Sequence, residues 1–154
     1  MKNYYPDLIN KERYNGDLPI HLRSKYETDF YKKLDTNKNI KYWNSETIKI
    51  KYKFPYRLDK KYNIVKTKIN KTRTYYIDFF YITYDNKYRL IEIKNMSLTK
   101  PPKHTKNKKS YNYALFNYIK NTTKFEAVNE YLKQFNDIDI KFIVCSGYKY
   151  NFET

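Results

Sequence analysis

A single cysteine, Cys145, excludes an internal disulfide, and with only His21 and His104 beside it a Cys/His zinc site lacks ligands. Any metal must then sit on carboxylates, which favours hard ions such as magnesium or manganese. No run of about 18 apolar residues occurs, so no membrane-spanning helix is expected. Met1-Lys2-Asn3-Tyr4-Tyr5-Pro6 contains no apolar signal core, and the chain is expected to be soluble and not secreted. Acids are also short: 16 Asp plus Glu stand against 32 Lys plus Arg, a formal charge of +16. An AT-rich genome enriches Lys, Asn, Tyr, Ile and Phe, but it equally allows Glu. The imbalance therefore points to a polyanionic partner, with nucleic acid first. An anionic membrane surface fits less well, because no basic helix with a strong apolar face is visible.

What is present suffices for folding. The 154 residues are 40% hydrophobic, with 20 Tyr and 9 Phe, enough for one domain with a modest core and against wholesale disorder. Residues 1 to about 23, punctuated by Pro6, Gly16 and Pro19, read as an arm or irregular lead-in. Ser24-x-x-Glu27 is a capping-box pattern, and Tyr26, Phe30, Tyr31 and Leu34 predict a helix over about 24–35. Residues 40–52 read as extended, and 53–70 as a Lys-rich loop or frayed hairpin. Residues 73–84 carry the strongest strand signal, Asp85-Asn86 a turn, and 87–94 the return strand. Residues 93–125 hold eight lysines and no acid, and the stretch at about 97–110 predicts a flexible basic loop that DNA would order. Helical spacing resumes at Tyr111, and Thr123-x-x-Glu126 reads as a second capping box opening another helix. Residues 138–144 close the chain as a short strand. The order predicts a mixed α/β domain, a central sheet covered by helices.

The chemistry-bearing residues lie in the hairpin. Glu92 and Lys94 are two apart on a strand and share a face, about 7 Å apart, while Ile91 and Ile93 face the core. Asp78 joins them only in one register. A two-residue loop at Asp85-Asn86 pairs it with Ile93, on the wrong face. A three-residue loop, such as Asp85-Asn86-Lys87, pairs it with Lys94 or thereabouts, with Asn86 or Lys87 left-handed. Two carboxylates beside a lysine suit phosphodiester hydrolysis, since carboxylates hold divalent ions that lower the pKa of bound water. A lysine there can orient that water or stabilise the pentacovalent state. Four acid-x-Lys matches occur, at Asp59, Asp85, Glu92 and Asp139. Only Glu92-Ile93-Lys94 lies in a strand paired with another strand bearing an acid. A cross-strand salt bridge on a solvated face explains the local pattern equally well. Tyr75, Tyr76 and Tyr81 read as core or sheet-face residues and Trp43 as core, and neither histidine reads as catalytic.

From Ser24 to about Gly147 the chain resembles the head-completion nucleases of myovirus-type tailed phages, in the PD-(D/E)XK superfamily close to the transposon-end endonuclease subunit. The resembling pieces are residues 24–30, Ile40 to Glu46, Tyr75-Tyr76-Ile77-Asp78-Phe79, Leu90 to Lys94, the Lys- and Pro-rich stretch after it, and Lys124-Phe125-Glu126-Ala127. The family usually has Pro before the aspartate, and here Ile77 stands there. The resemblance implies a PD-(D/E)XK restriction-endonuclease-like core and a magnesium- or manganese-dependent endonuclease acting on double-stranded DNA. It implies Asp78 and Glu92 as metal ligands, Lys94 as the catalytic lysine and Glu27 as a third acid, a role that competes with the capping box. Lys100, Lys103, Lys106, Lys108, Lys109 and Lys124 would contact the DNA backbone. The implied setting is phage head completion, in the host cytoplasm during assembly and in the virion, with portal or neck proteins as partners and no membrane. The alternatives are a non-catalytic basic DNA-binding neck or plug protein, and a repair or junction nuclease.

Overall fold

Ser24 has extended backbone, and its side chain accepts a hydrogen bond from the Glu27 amide, which starts helix α1 (Lys25–Thr36). Phe30, Tyr31 and Leu34 form its buried stripe, matching the predicted spacing. The computed structural model describes residues 6–152. The lead-in before α1 is irregular but tied down. Ile20 and Leu22 are buried, and the Asp35 carboxylate accepts from the amides of Ile9 and Asn10 at 2.7 and 3.2 Å.

After α1 run β1 (Ile40–Ser45), β2 (Lys49–Lys53), the small hairpin β3 (Tyr56–Leu58) and β4 (Ile64–Lys66), then β5 (Thr72–Tyr76), β6 (Phe79–Thr83) and β7 (Lys87–Ile93). Helix α2 (Lys108–Leu132) and β8 (Asp139–Cys145) complete the order. The chain is thus α/β, with a mixed four-stranded sheet ordered β1-β6-β7-β8, antiparallel except for the parallel β7–β8 pair. Ile91 and Ile93 pack on the α1 face with Phe30, Leu34, Trp43 and Phe79. Leu90 packs on the α2 face with Val128, Phe125 and Phe142. β7 is covered on both faces, which explains its unbroken burial from Arg89 to Ile93.

Three sequence expectations need correction. The strand expected over 73–84 is two strands, and 40–52 likewise divides. β1–β6 and β2–β5 form one long antiparallel arm bent at Glu46–Ile48 and Ile77–Asp78. Glu46 has a φ of 52°, and its amide donates to the Ile77 carbonyl at 3.1 Å, while the Ile77 amide donates to Ile48 at 3.0 Å. The bend sends β2–β5 over α2, burying Ile50, Tyr52 and Tyr75, which a straight strand could not do. Second, the basic loop ends earlier than expected, because the Asn107 side chain caps α2 and puts Lys108 and Lys109 in its first turn. Third, Thr123 starts no new helix. Its hydroxyl donates to the Ile119 carbonyl at 2.9 Å, within the preceding turn, so one helix continues through it.

The hairpin loop is Tyr84-Asp85-Asn86, with Asn86 at φ 61° and Phe79 opposite Ile91. Of the two loop lengths left open by the sequence, it is the three-residue one that the site requires, one position earlier than Asp85-Asn86-Lys87. Continued one residue past Phe79–Ile91, this register points to Glu92 instead of Lys94 as the neighbour of Asp78, which itself lies just outside the ladder. Among the described residues no helix is long and apolar enough to cross a membrane.

Candidate active site

Asp78 occupies the bend between β5 and β6, where its backbone has left the ladder. The Ile77 carbonyl, which would have paired with Ile93, accepts from Glu46. The Asp78 carboxylate takes its place, accepting from the Ile93 amide at 2.7 Å. The arm's bend thus delivers this side chain to the end of β7. Burial and then the neighbouring Glu92 carboxylate push the Asp78 pKa well above the usual carboxylate range, and Glu27 adds a smaller push.

Glu92 is 5% exposed. Its Oε1 accepts from Lys94 Nζ at 2.9 Å, while Oε2 is buried with no hydrogen-bond partner. An acceptor with unused lone pairs, buried beside a second carboxylate, is costly unless something fills its place. Tyr75 adjoins Glu92 with its hydroxyl buried, and burial together with the Glu92 charge pushes its pKa up.

Helix α2 supplies the other wall. Lys94 Nζ lies 5.8 Å from the Phe125 ring centre. Lys124 Nζ lies 5.0 Å from the Tyr75 ring centre and 6.0 Å from that of Tyr52. Burial and then the charges of Lys94 and Lys120 push the Lys124 pKa down, and burial and Arg73 do the same to Lys120. Arg73, Lys120, Lys124 and Lys94 therefore form a line of mutually repelling cations ending at Glu92. Such a line suits a polyanion.

The structure brings Asp78, Glu92, Lys94 and Lys124 together. It does not bring Glu27 into a cluster with them: its carboxylate accepts from the Arg23 amide at 2.8 Å and from the Ser24 hydroxyl at 3.1 Å, which ties it to the start of α1 without the backbone bond to Ser24 that a full capping box has. The capping reading describes this rotamer, and the third-acid position is not filled by it. Lys100, Lys103 and Lys106 are exposed on the segment leading to α2, where His104 packs on Tyr111 at 4.9 Å between ring centres. Lys108 is exposed in the first turn of α2, and Lys109 Nζ lies 5.8 Å from the Tyr62 ring centre.

Sequence reasoning missed Lys120, Arg73 and the part Tyr75 plays beside Glu92. Lys120 and Lys124 stand at i and i+4, a signal hidden by dividing α2 at Thr123. Arg73 and Tyr75 needed the bend, which no local pattern announced.

The donor chemistry fits a hard divalent cation: two carboxylates side by side, one with an unpartnered oxygen. Among the described residues no third Asp, Glu, His or Cys completes a cluster, so water would supply the remaining positions, as magnesium prefers. Comparison with protein families, with curated proteins and with solved structures finds no match to this chain.

Proposed function

We propose that this chain is a magnesium- or manganese-dependent endonuclease that hydrolyses phosphodiester bonds of double-stranded DNA, on a PD-(D/E)XK-type core. The observation that carries the reading is the Asp78–Glu92 pair at the end of β7, with one buried Glu92 oxygen unpartnered and Lys94 beside it. The mixed sheet with a helix on each face is the architecture that the resemblance to phage head-completion nucleases implies. That resemblance also suggests the setting: a role at the packaged DNA end in host cytoplasm and virion, with portal or neck proteins nearby.

Asp78 and Glu92 would hold the ion, which supplies a bound water of lowered pKa and neutralises phosphate charge. Lys94 would orient the attacking water or donate to a phosphate oxygen as negative charge builds there. Water attacks phosphorus, the P–O bond to the leaving oxygen breaks, and no covalent protein intermediate forms. The cation line from Arg73 to Lys124 would grip the backbone, with Lys100, Lys103, Lys106, Lys108 and Lys109 extending the contact. The test is magnesium-dependent nicking of supercoiled plasmid, run beside Lys94→Ala. Equal nicking by both proteins would sink the reading.

Two further outcomes are expected. Glu27→Gln keeps the capping box, because glutamine also serves at that position, so the melting temperature should hold and nicking should fall less than about tenfold. Lys124→Ala should lower the slope of log affinity against log salt by about 1, as one lost phosphate contact requires.

One observation favours a second reading, a non-catalytic basic DNA-binding protein. Asp78 already bonds Ile93, and Glu92 already bonds Lys94, so both acids have structural partners. Manganese titration separates the two: binding that is lost in Asp78→Ala supports the enzyme, and no binding supports the DNA clamp.

A further inference from the structure

Beside Lys94, between α2 and the segment from the 3-10 turn Met96–Thr99 to Pro102, lies a cavity of about 510 Å³. Its size is that of a small-molecule site. The floor is apolar, from Leu98, Ala114 and Pro102. The α2 wall repeats every turn, with Tyr113, Asn117 and Asn121, and Tyr118 stands beside them. Asparagine is a poor choice inside a helix, because its side chain competes for backbone hydrogen bonds. Here both carboxamides line the cavity half-buried, with no hydrogen-bond partner among the described residues. Lys94 and Lys100 also line it.

Flat aromatic faces, free carboxamides and flanking cations match three parts of one ligand. A nucleobase offers a π-face to tyrosine and donor and acceptor edges to a carboxamide. Its flanking phosphates meet the lysines. A paired base inside duplex cannot present its edge this way, whereas an unpaired or extruded one can.

We propose that this cavity binds one unpaired nucleotide of the DNA strand whose phosphate lies at Lys94, so that the protein favours ends and gaps with unpaired bases over continuous duplex. The proposal rests on the nuclease reading for the position of that phosphate, but the chemistry of the cavity is independent of turnover.

The experiment measures binding in EDTA, where no cleavage occurs. The full chain is titrated into two duplexes of equal length, one blunt and one with a three-nucleotide overhang carrying 2-aminopurine. The wild type should bind the overhang about tenfold more tightly, with quenching of 2-aminopurine as it stacks on tyrosine. Tyr113→Ala should erase both the preference and the quenching. Tyr113 is 55% exposed, so truncation removes little core. Asn117→Ala should reduce the preference, and Tyr84→Ala, in the hairpin loop away from the cavity, should retain it. Equal binding of the two duplexes by the wild type, or a preference that survives in both Tyr113→Ala and Asn117→Ala, overturns the proposal. Plasmid nicking is scored separately. A preference without nicking removes the nuclease reading and leaves the cavity assignment standing, and nicking without a preference does the reverse.

Discussion

In metal-free buffer at pH 8, Asp78→Asn is expected to melt a few degrees above the wild type, yet to nick DNA about a hundredfold more slowly or worse with magnesium. The two effects share one cause. Burial and Glu92 raise the folded-state pKa of Asp78 above its unfolded value, so folding favours the protonated acid. The associated stability is complete below about pH 4, the unfolded carboxylate value, and is lost as pH rises through the raised pKa. At pH 8 the wild type carries a penalty that it lacks at pH 4. Asparagine carries none, and its carbonyl can still accept from the Ile93 amide. In a domain this size about 1 kcal/mol corresponds to roughly 2–4 °C. The same substitution removes a carboxylate that would hold the ion, hence the loss of rate. Thermal melts from pH 4 to 9 without metal check the first half: the two curves should meet at low pH and part as pH rises. An Asp78→Asn variant that melts below the wild type at pH 8 would contradict the electrostatic account.

Lys94→Ala should lose a similar hundredfold to thousandfold in nicking, but with the opposite change in stability. Lys94 donates the hydrogen bond that Glu92 accepts, and Glu92 is 5% exposed. Removing the donor leaves a buried carboxylate with no hydrogen-bond partner beside a second acid, a loss of about 1–3 kcal/mol. Magnesium bound by Asp78 and Glu92 would restore much of that stability without restoring cleavage, since the ion would replace the charge of Lys94 and not the donor that the proposed reaction needs. Calorimetry of the variant with and without magnesium, beside plasmid nicking, checks this. A variant that melts with the wild type in EDTA would show that the Lys94–Glu92 pair contributes nothing. The pair of variants separates the enzyme from a basic DNA clamp, because in a clamp neither substitution alters a magnesium-dependent rate.

The boundaries of α1, the return strand and the last strand could all be read in advance, because each rests on a local device. The Ser24 side chain caps the Glu27 amide, Leu90 and Ile91 fill a strand covered on both faces, and Asn86 turns the hairpin with positive φ. The bend was not legible. Tyr75 to Phe79 has the composition of an unbroken strand, and only packing of β2–β5 against α2 makes the ladder part at Asp78. Lys120 and Lys124 were separated in the same way, by a threonine–glutamate pair that imitates a helix start.

The sequence alone determined the charge, the lack of a Cys/His ligand set and the shared face of Glu92 and Lys94, since a strand's period of two leaves no choice. It left open whether Asp78 joins them, because a hairpin slip of one residue turns a side chain to the opposite face. Tertiary structure decided that. The bent arm and the Tyr84–Asn86 loop bring the Asp78 carboxylate onto the Ile93 amide, beside Glu92. Glu27 is held at the start of α1 by the Ser24 hydroxyl, within electrostatic reach of Asp78, and the fold of α2 over the sheet placed Lys124 where sequence spacing of 30 residues from Lys94 carried no information.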